Sequence, residues 1–220
     1  ARIATEIVMT VSEGKEYDMS RLVQRRIPHF GVKEAVLPFN MFPEVDPLLG
    51  PEMRSTGEVL GLSNSYEIAY FKAQEAAQSP LPTEGCVLIS LNDKDKKVGL
   101  TAARELIAIG FKIRATRGTC AFLRENGVAA EEIKKLFEGR PNIADAIANR
   151  EIHLIINTPR SKMSEFDDSY IRKIAIKNRV PYITTMTAAI ASVRGIRAFI
   201  ENGYSESAKK SLQEYHAEIR

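Results

Sequence analysis

The residues best able to hold a ligand stand just behind the chain's short apolar runs. Cys86-Val87-Leu88-Ile89 leads into Ser90-Leu91-Asn92-Asp93-Lys94-Asp95-Lys96, and Phe111-Lys112-Ile113-Arg114 into Ala115-Thr116-Arg117-Gly118-Thr119. Ile152 to Ile156 leads into Asn157-Thr158-Pro159-Arg160-Ser161, and Val180-Pro181-Tyr182-Ile183 into Thr184-Thr185-Met186-Thr187. A basic stretch, Lys134-Lys135-Leu136-Phe137-Glu138-Gly139-Arg140-Pro141, lies between the second and third of these runs. Hydroxyls, an amide and Lys or Arg recur among them, which is the donor set of a phosphate site. Thr116-Arg117-Gly118-Thr119 also precedes a helical stretch. Its glycine permits close backbone approach, and a helix start offers unpaired N–H groups and a positive dipole end to an anion. Lys96 or Lys135 would supply the counter-charge. Ser and Thr before a helix are commonly plain N-caps, and an isolated Lys is commonly a surface charge. These stretches make a phosphate site only where the fold brings them to one place.

Catalytic chemistry is harder to find. The three histidines, His29, His153 and His216, lie outside these loops, and His153 sits within a strand-like run where a structural role is expected. There is no nucleophile motif, no Walker-type loop and no pair of carboxylates spaced for a metal. The two cysteines, Cys86 and Cys120, are far apart and lack His or Cys companions at ligand spacing, so reduced thiols are expected, as suits the cytosol. No metal or cofactor is expected in this chain. The loops read as a sensor of a phosphorylated small molecule rather than as a catalyst.

The elements that would position these loops alternate. After the linker-like Ser79-Pro80-Leu81-Pro82-Thr83, strands at Cys86–Leu91, Phe111–Arg114, Ile152–Ile156 and Val180–Ile183 are expected. Helices are expected at Lys97–Ile109, stopped by Gly110, and at Thr119–Glu125, Asn142–Asn149, Asp167–Asn178, Thr187–Ile200 and Ser205–Ile219. Strands alternating with helices make an α/β fold with a parallel sheet, whose ligands bind at the carboxyl ends of the strands. Ala1 to Gln78 is less regular: a helical start, strands at Val32–Phe39 and Met53–Leu60, and a helix from Ser65 to Ala77 with Ser65 as N-cap. So few elements would struggle to bury a core, so this zone reads as the tail of a preceding domain. The expected domains are 1–78 and 79–220, cut from a longer protein. At 44% hydrophobic and 27% charged residues the composition is that of a soluble globular chain. A net charge of +3 is too mild to imply nucleic acid, and no apolar run reaches membrane-spanning length.

The residues also carry a resemblance. Val32-Lys33-Glu34-Ala35-Val36-Leu37-Pro38-Phe39-Asn40, then Asp46-Pro47-Leu48-Leu49-Gly50-Pro51-Glu52-Met53-Arg54-Ser55-Thr56-Gly57-Glu58-Val59, closely resembles the large subunit of carbamoyl phosphate synthetase. The likeness continues through Thr116-Arg117-Gly118-Thr119, Glu138-Gly139-Arg140-Pro141 and Ile155-Ile156-Asn157-Thr158. It implies the end of the second ATP-grasp unit (1–78) followed by a methylglyoxal-synthase-like, Rossmann-like allosteric domain (79–220). The implied parent is a ligase that makes carbamoyl phosphate from bicarbonate and glutamine-derived ammonia with ATP and Mg or Mn, for pyrimidine and arginine synthesis. The metal-binding residues of that unit would lie upstream, so the chain alone is expected to be inactive. Partners implied are a nucleotide effector such as UMP or IMP, the small glutaminase subunit, and further copies through the allosteric domain, in the cytoplasm.

On that resemblance Ser90, Lys96, Thr116, Thr119, Lys135, Asn157 and Thr158 fall on nucleotide-pocket positions. Glu34, Leu37, Tyr182 and Thr184 fall on an ornithine-type activator site, other carboxylates of which would lie upstream. Pro159 departs from the bacterial pattern, which has a second Thr there; proline removes a hydroxyl and a backbone donor. The effector's identity is left open, since animal relatives use N-acetylglutamate, or UTP and phosphoribosyl pyrophosphate. Two rival readings remain. One is a stand-alone enzyme of the methylglyoxal synthase type, which would need a carboxylate base beside the phosphate cradle. The other is a structural module whose sheet serves only in assembly.

Overall fold

The computed structural model describes residues 2–22, 26–41, 53, 55, 57–158, 165–204 and 210–219. They form two compact units, Ala1–Pro28 with Lys210–Arg220, and His29–Lys209. Gln78 and Ser79, the expected boundary, both lie within the larger unit.

In the smaller unit, helix α1 spans Arg2–Ser12. At its other end a short helix, Leu212–Ala217, is capped by Ser211, whose hydroxyl accepts from the Glu214 N–H at 3.2 Å. Of the helix expected from Ser205 to Ile219, residues 205–209 lie outside those described.

The larger unit opens with β1 (Phe30–Val36) paired antiparallel to β2 (Gly57–Ser63). Both strands are shifted from the sequence expectation. Leu37 and Pro38 follow β1 and lead into a 3-10 turn at Phe39–Met41, as the missing proline N–H favours. Helix α2 (Tyr66–Ala76) packs on this hairpin, with Ser65 at its N-cap accepting from the Ile68 N–H at 3.4 Å. Contact is close because Gly61 has no side chain: a Cβ there would stand 2.1 Å from the Ala69 carbonyl oxygen.

The main sheet has β3 (Cys86–Ser90), β4 (Lys112–Thr116), β5 (Glu131–Ile133), β6 (Leu154–Asn157) and β7 (Tyr182–Ile183). All pairs are parallel, in the order β5-β4-β3-β6-β7. Alternate residues of β3 supply its two faces. Val87 and Ile89 pack against α3 (Lys96–Ala108), α4 (Arg117–Glu125) and α7 (Met186–Asn202). Cys86 and Leu88 pack against α5 (Ile143–Ala148) and α6 (Glu165–Lys177). Both thiols are buried, and burial raises each above the ordinary thiol range. His153 is structural as expected: its Nδ1 accepts from the Cys86 N–H at 3.2 Å, just ahead of β6.

Helix α3 ends as its glycine requires. Gly110 has φ +94°, its N–H reaches the Ile107 carbonyl at 3.0 Å, and the Phe111 N–H reaches that of Leu106 at 3.0 Å. Two differences bear on the site. The strand expected at Phe111–Arg114 runs on through Thr116, and α4 begins at Arg117 rather than Thr119. Strand β5 has no counterpart in the sequence reading, because its Glu131-Glu132-Ile133 offers only one apolar residue.

Candidate functional site

The strand order reverses at β3. Chain progress from β3 runs to β4 and β5 on one side, then to β6 and β7 on the other. The loops leaving β3 and β6 therefore part in opposite directions and open a crevice at the carboxyl edge of the sheet. A cavity of about 210 Å³ lies there, lined by Ser90, Leu91, Thr116, Arg117, Gly118, Thr119, Lys135, Glu138, Asn157, Thr158 and Asp168. Of the residues selected for nucleotide binding, Ser90, Thr116, Thr119, Lys135, Asn157 and Thr158 meet on this wall.

Backbone register sets the first contacts. Ser90 and Asn157 end their strands as direct partners, and the Thr158 N–H donates to the Ser90 carbonyl at 2.9 Å. The Asn92 N–H donates to Thr158 Oγ1 at 3.0 Å, and the Leu91 N–H to Thr119 Oγ1 at 3.0 Å. Thr116 Oγ1 stands 3.4 Å from Ser90 Oγ and 3.5 Å from Thr119 Oγ1. Buried hydroxyls from β4 and α4 thus converge with Ser90 of β3. Thr116 occupies the N-cap of α4, yet its hydroxyl caps no N–H of the first turn. Arg117, Gly118 and Thr119 form that first turn, so the positive end of α4 faces the cavity. A Cβ on Gly118 would meet only Lys96 Nζ, at 4.0 Å, which leaves its backbone open to approach.

The cations divide. Lys135 lines the cavity, set at the head of a 3-10 turn (Leu136–Glu138) where its N–H donates to Glu138 Oε2 at 2.7 Å. Lys96 is not on the lining: its Nζ pairs with Asp93 at 2.8 Å and lies 5.8 Å from the Phe122 ring centre, beside Gly118. Arg140, in the same basic stretch as Lys135, is engaged by Asp145 and holds its carboxyl below the usual range.

Asp168 was missed. It is 8% exposed, lines the cavity, and accepts from Asn157 Nδ2 at 2.7 Å. The same Nδ2 donates to Tyr182 Oη at 2.6 Å. Burial, with the nearby Asp168 charge, pushes the Tyr182 phenol above its ordinary range. A signal for Asp168 did exist: it shares a helical stripe with Ile171 and Ala175, both buried. An acidic residue on the apolar stripe of α6 has to be there for a partner.

The residues of the ornithine-type set do not line this cavity. Glu34, on β1, accepts from Gln74 Nε2 of α2 at 3.0 Å. Leu37 is half-buried behind β1, and Thr184 is exposed between β7 and α7. Tyr182 has its hydroxyl turned to Asn157. Pro159, Arg160 and Ser161 lie outside the described residues. Among the described residues, no group of His, Cys, Asp or Glu is placed to hold a metal ion, and no helix is long and apolar enough to cross a membrane.

The family model of the MGS-like domain matches residues 99–184, which takes in Thr116, Thr119, Lys135, Asn157, Thr158, Tyr182 and Thr184. The carbamoyl phosphate synthase large chain, C-terminal section, of Aquifex aeolicus is 44% identical over 217 residues, covering 97% of this chain and 40% of that protein. The carbamoyl phosphate synthase large chain of Gemmatimonas aurantiaca is 47% identical over 193 residues, covering 88% of this chain and 17% of its own length. That of Archaeoglobus fulgidus is 44% identical over 220 residues, 99% of this chain and 20% of its own length. The chain therefore spans 40% or less of these relatives. The chain belongs to the carbamoyl phosphate synthase large chain family, matches its C-terminal section, and carries an MGS-like domain.

Proposed function

We propose that this chain is the regulatory end of a carbamoyl phosphate synthase large chain and that the cavity at the sheet edge binds a nucleotide effector. One observation carries the reading. Buried hydroxyls of Thr116 and Thr119, the first turn of α4, Lys135 and the Asn157 amide all border one cavity. That is a phosphate cradle with polar groups opposite it. The volume of about 210 Å³ suits a phosphorylated ligand seated by one end rather than swallowed whole. UMP and IMP are the effectors first expected, with UTP as the alternative that the animal relatives suggest.

On this reading the chemistry belongs to the longer parent, an ATP-dependent ligase working with a small glutaminase subunit in the cytoplasm, serving pyrimidine and arginine synthesis. ATP and its Mg or Mn would be held by upstream residues. The described carboxylates of this chain do not cluster for a metal, and the chain alone makes no carbamoyl phosphate. Residues 1–78 are then the end of the ATP-grasp domain and 79–220 the allosteric domain, through which copies of the large chain associate. Glu34, Leu37, Tyr182 and Thr184 are this chain's share of an ornithine-type site completed upstream. An effector regulates only by binding the high- and low-activity states unequally.

Calorimetry of the full chain with UMP, IMP and UTP tests the reading, with saturable heat and a raised Tm expected for at least one. Silence with all of them favours the purely structural module. The eliminating-enzyme reading is not favoured, since the relatives are carbamoyl phosphate synthases. Asp168 does place a carboxylate on the wall, but it is committed to the Asn157 amide. Incubation with dihydroxyacetone phosphate should release no methylglyoxal above the uncatalysed rate.

A further inference from the structure

Ser79-Pro80-Leu81-Pro82-Thr83 has the composition of a linker, and a linker predicts free movement of what precedes it. The structure packs it otherwise. Leu81 is 6% exposed and shares a core with Phe71, Val87 and Ile196, and the Ser79 N–H donates to the Gln74 carbonyl at 3.1 Å. Helix α2, just ahead of this stretch, is held on two sides. On one side it grips the hairpin. Gln74 Nε2 donates to Glu34 of β1 at 3.0 Å, Lys72 Nζ donates to the Leu62 carbonyl of β2 at 3.1 Å, and the backbone at Ala69 and Ala73 sits on Gly61. On the other side it lies along α7. A Cβ on Gly195 would stand 3.2 Å from the Glu67 carbonyl oxygen, and Tyr70 Oη meets the fully buried Ser192 Oγ at 3.2 Å. Further along, the Phe71 and Phe199 rings stack with centroids 4.4 Å apart, and Tyr204 donates to Glu75 at 2.6 Å. Helix α7 is in turn tied to α3 by the ion pair of Arg197 with Glu105 at 3.0 Å.

We propose that α2 is a rigid strut that fastens the β1–β2 hairpin to the main sheet through α7, and that residues 79–83 are not a hinge. The hairpin then follows any displacement of α7 and the sheet, and the chain connection between them contributes little to the coupling. The seam is stiff because of where its small residues lie. At Gly61 and Gly195 a backbone comes against α2 with no side chain between that could re-pack. A hinge needs a few residues free to absorb a change in φ and ψ, and a packed seam of this kind passes a shift on rather than absorbing it. The strut is thus a relay from the sheet to whatever the outer side of the hairpin touches. It requires no ligand and stands apart from the nucleotide reading.

Amide hydrogen exchange of the full chain, read on peptides from the hairpin, α2 and the main sheet, tests the strut. Gly195→Leu forces α2 off α7. The bonded amides of β1, β2 and α2 should then exchange roughly tenfold faster, the worth of one overpacked contact, while those of β3 and β4 change less than about twofold. Phe199→Ala opens the stacked end of the seam, should act in the same direction, and serves if Gly195→Leu fails to fold. Pro80→Gly with Pro82→Gly loosens the chain connection and leaves the seam intact, so hairpin exchange should stay within about twofold of wild type. Hairpin protection that survives both seam variants overturns the inference. So does equal loosening of β3 and β4, which would mean that the seam supports the sheet rather than the hairpin. A double proline variant that loosens the hairpin as much as Gly195→Leu would put the control in residues 79–83 and overturns it too.

Discussion

Thr119 is the residue on which fold and site depend together, and replacing it separates the two. Its side chain is 1% exposed, and its hydroxyl accepts from the Leu91 N–H at 3.0 Å, just past the end of β3. Leu91 is itself buried. Thr119→Val keeps the volume and removes the oxygen. A buried donor left without a partner costs about 1–3 kcal/mol. For a chain of this size each kcal/mol lowers Tm by about 2–4 °C. Thr119→Ser keeps the oxygen and loses one methyl group, costing about 0.8 kcal/mol. Urea unfolding gives both stabilities, and a UMP titration gives both affinities. The expected pattern is a valine variant that is destabilised and binds weakly, and a serine variant that binds nearly as wild type. A valine variant as stable as wild type would refute the claim that Thr119 holds the β3 loop. A valine variant that binds UMP normally would refute the claim that its hydroxyl belongs to the pocket.

Gly61→Ala should destabilise the hairpin-bearing part of the larger unit by about 1–3 kcal/mol, because the new methyl would meet backbone atoms of α2 that cannot move aside; a thermal melt measures it. Tyr204 donates to Glu75 Oε2 at 2.6 Å, and burial with that carboxylate holds its phenol above the ordinary value of 10.0. The folded state thus keeps a proton that the unfolded chain loses first, so this stabilisation is full below pH about 10 and is lost as pH rises further. Tyr204→Phe should flatten the fall in Tm between roughly pH 9 and 11, and an unchanged fall would locate the alkaline loss elsewhere, Tyr70 and Tyr182 being raised in the same sense.

The sheet was legible because its strands are short, apolar and set between amphipathic helices. Cys86–Ser90 and Leu154–Asn157 are buried on both faces, and such runs announce themselves. Strand β5 does not, since an edge strand needs only one inward side chain, here Ile133. The pocket was legible for a topological reason: knowing that ligands gather at carboxyl ends is enough to select Thr116, Thr119, Asn157 and Thr158. The rule fails for Asp168, which comes from the first turns of a helix packed back over the sheet, where acidic residues are usually solvated. It also selects Lys96, which is not on the cavity lining and whose Nζ pairs with Asp93 three residues earlier. The start of α4 was misplaced because Gly118 reads as a loop residue, although it lies in the helix's first turn.

The central claim is that the cavity at the carboxyl edge seats a nucleotide, and a paired titration tests it most directly. UMP is added to the full chain and to a Thr116→Val, Lys135→Ala double variant, with heat and Tm followed for both. The account predicts saturable binding to wild type and a stabilisation of about 2.7 kcal/mol at a hundredfold excess over Kd. It predicts neither in the double variant, which should still melt cooperatively. Equal binding by both proteins, at any affinity, would place the nucleotide somewhere other than this cavity and contradict the account.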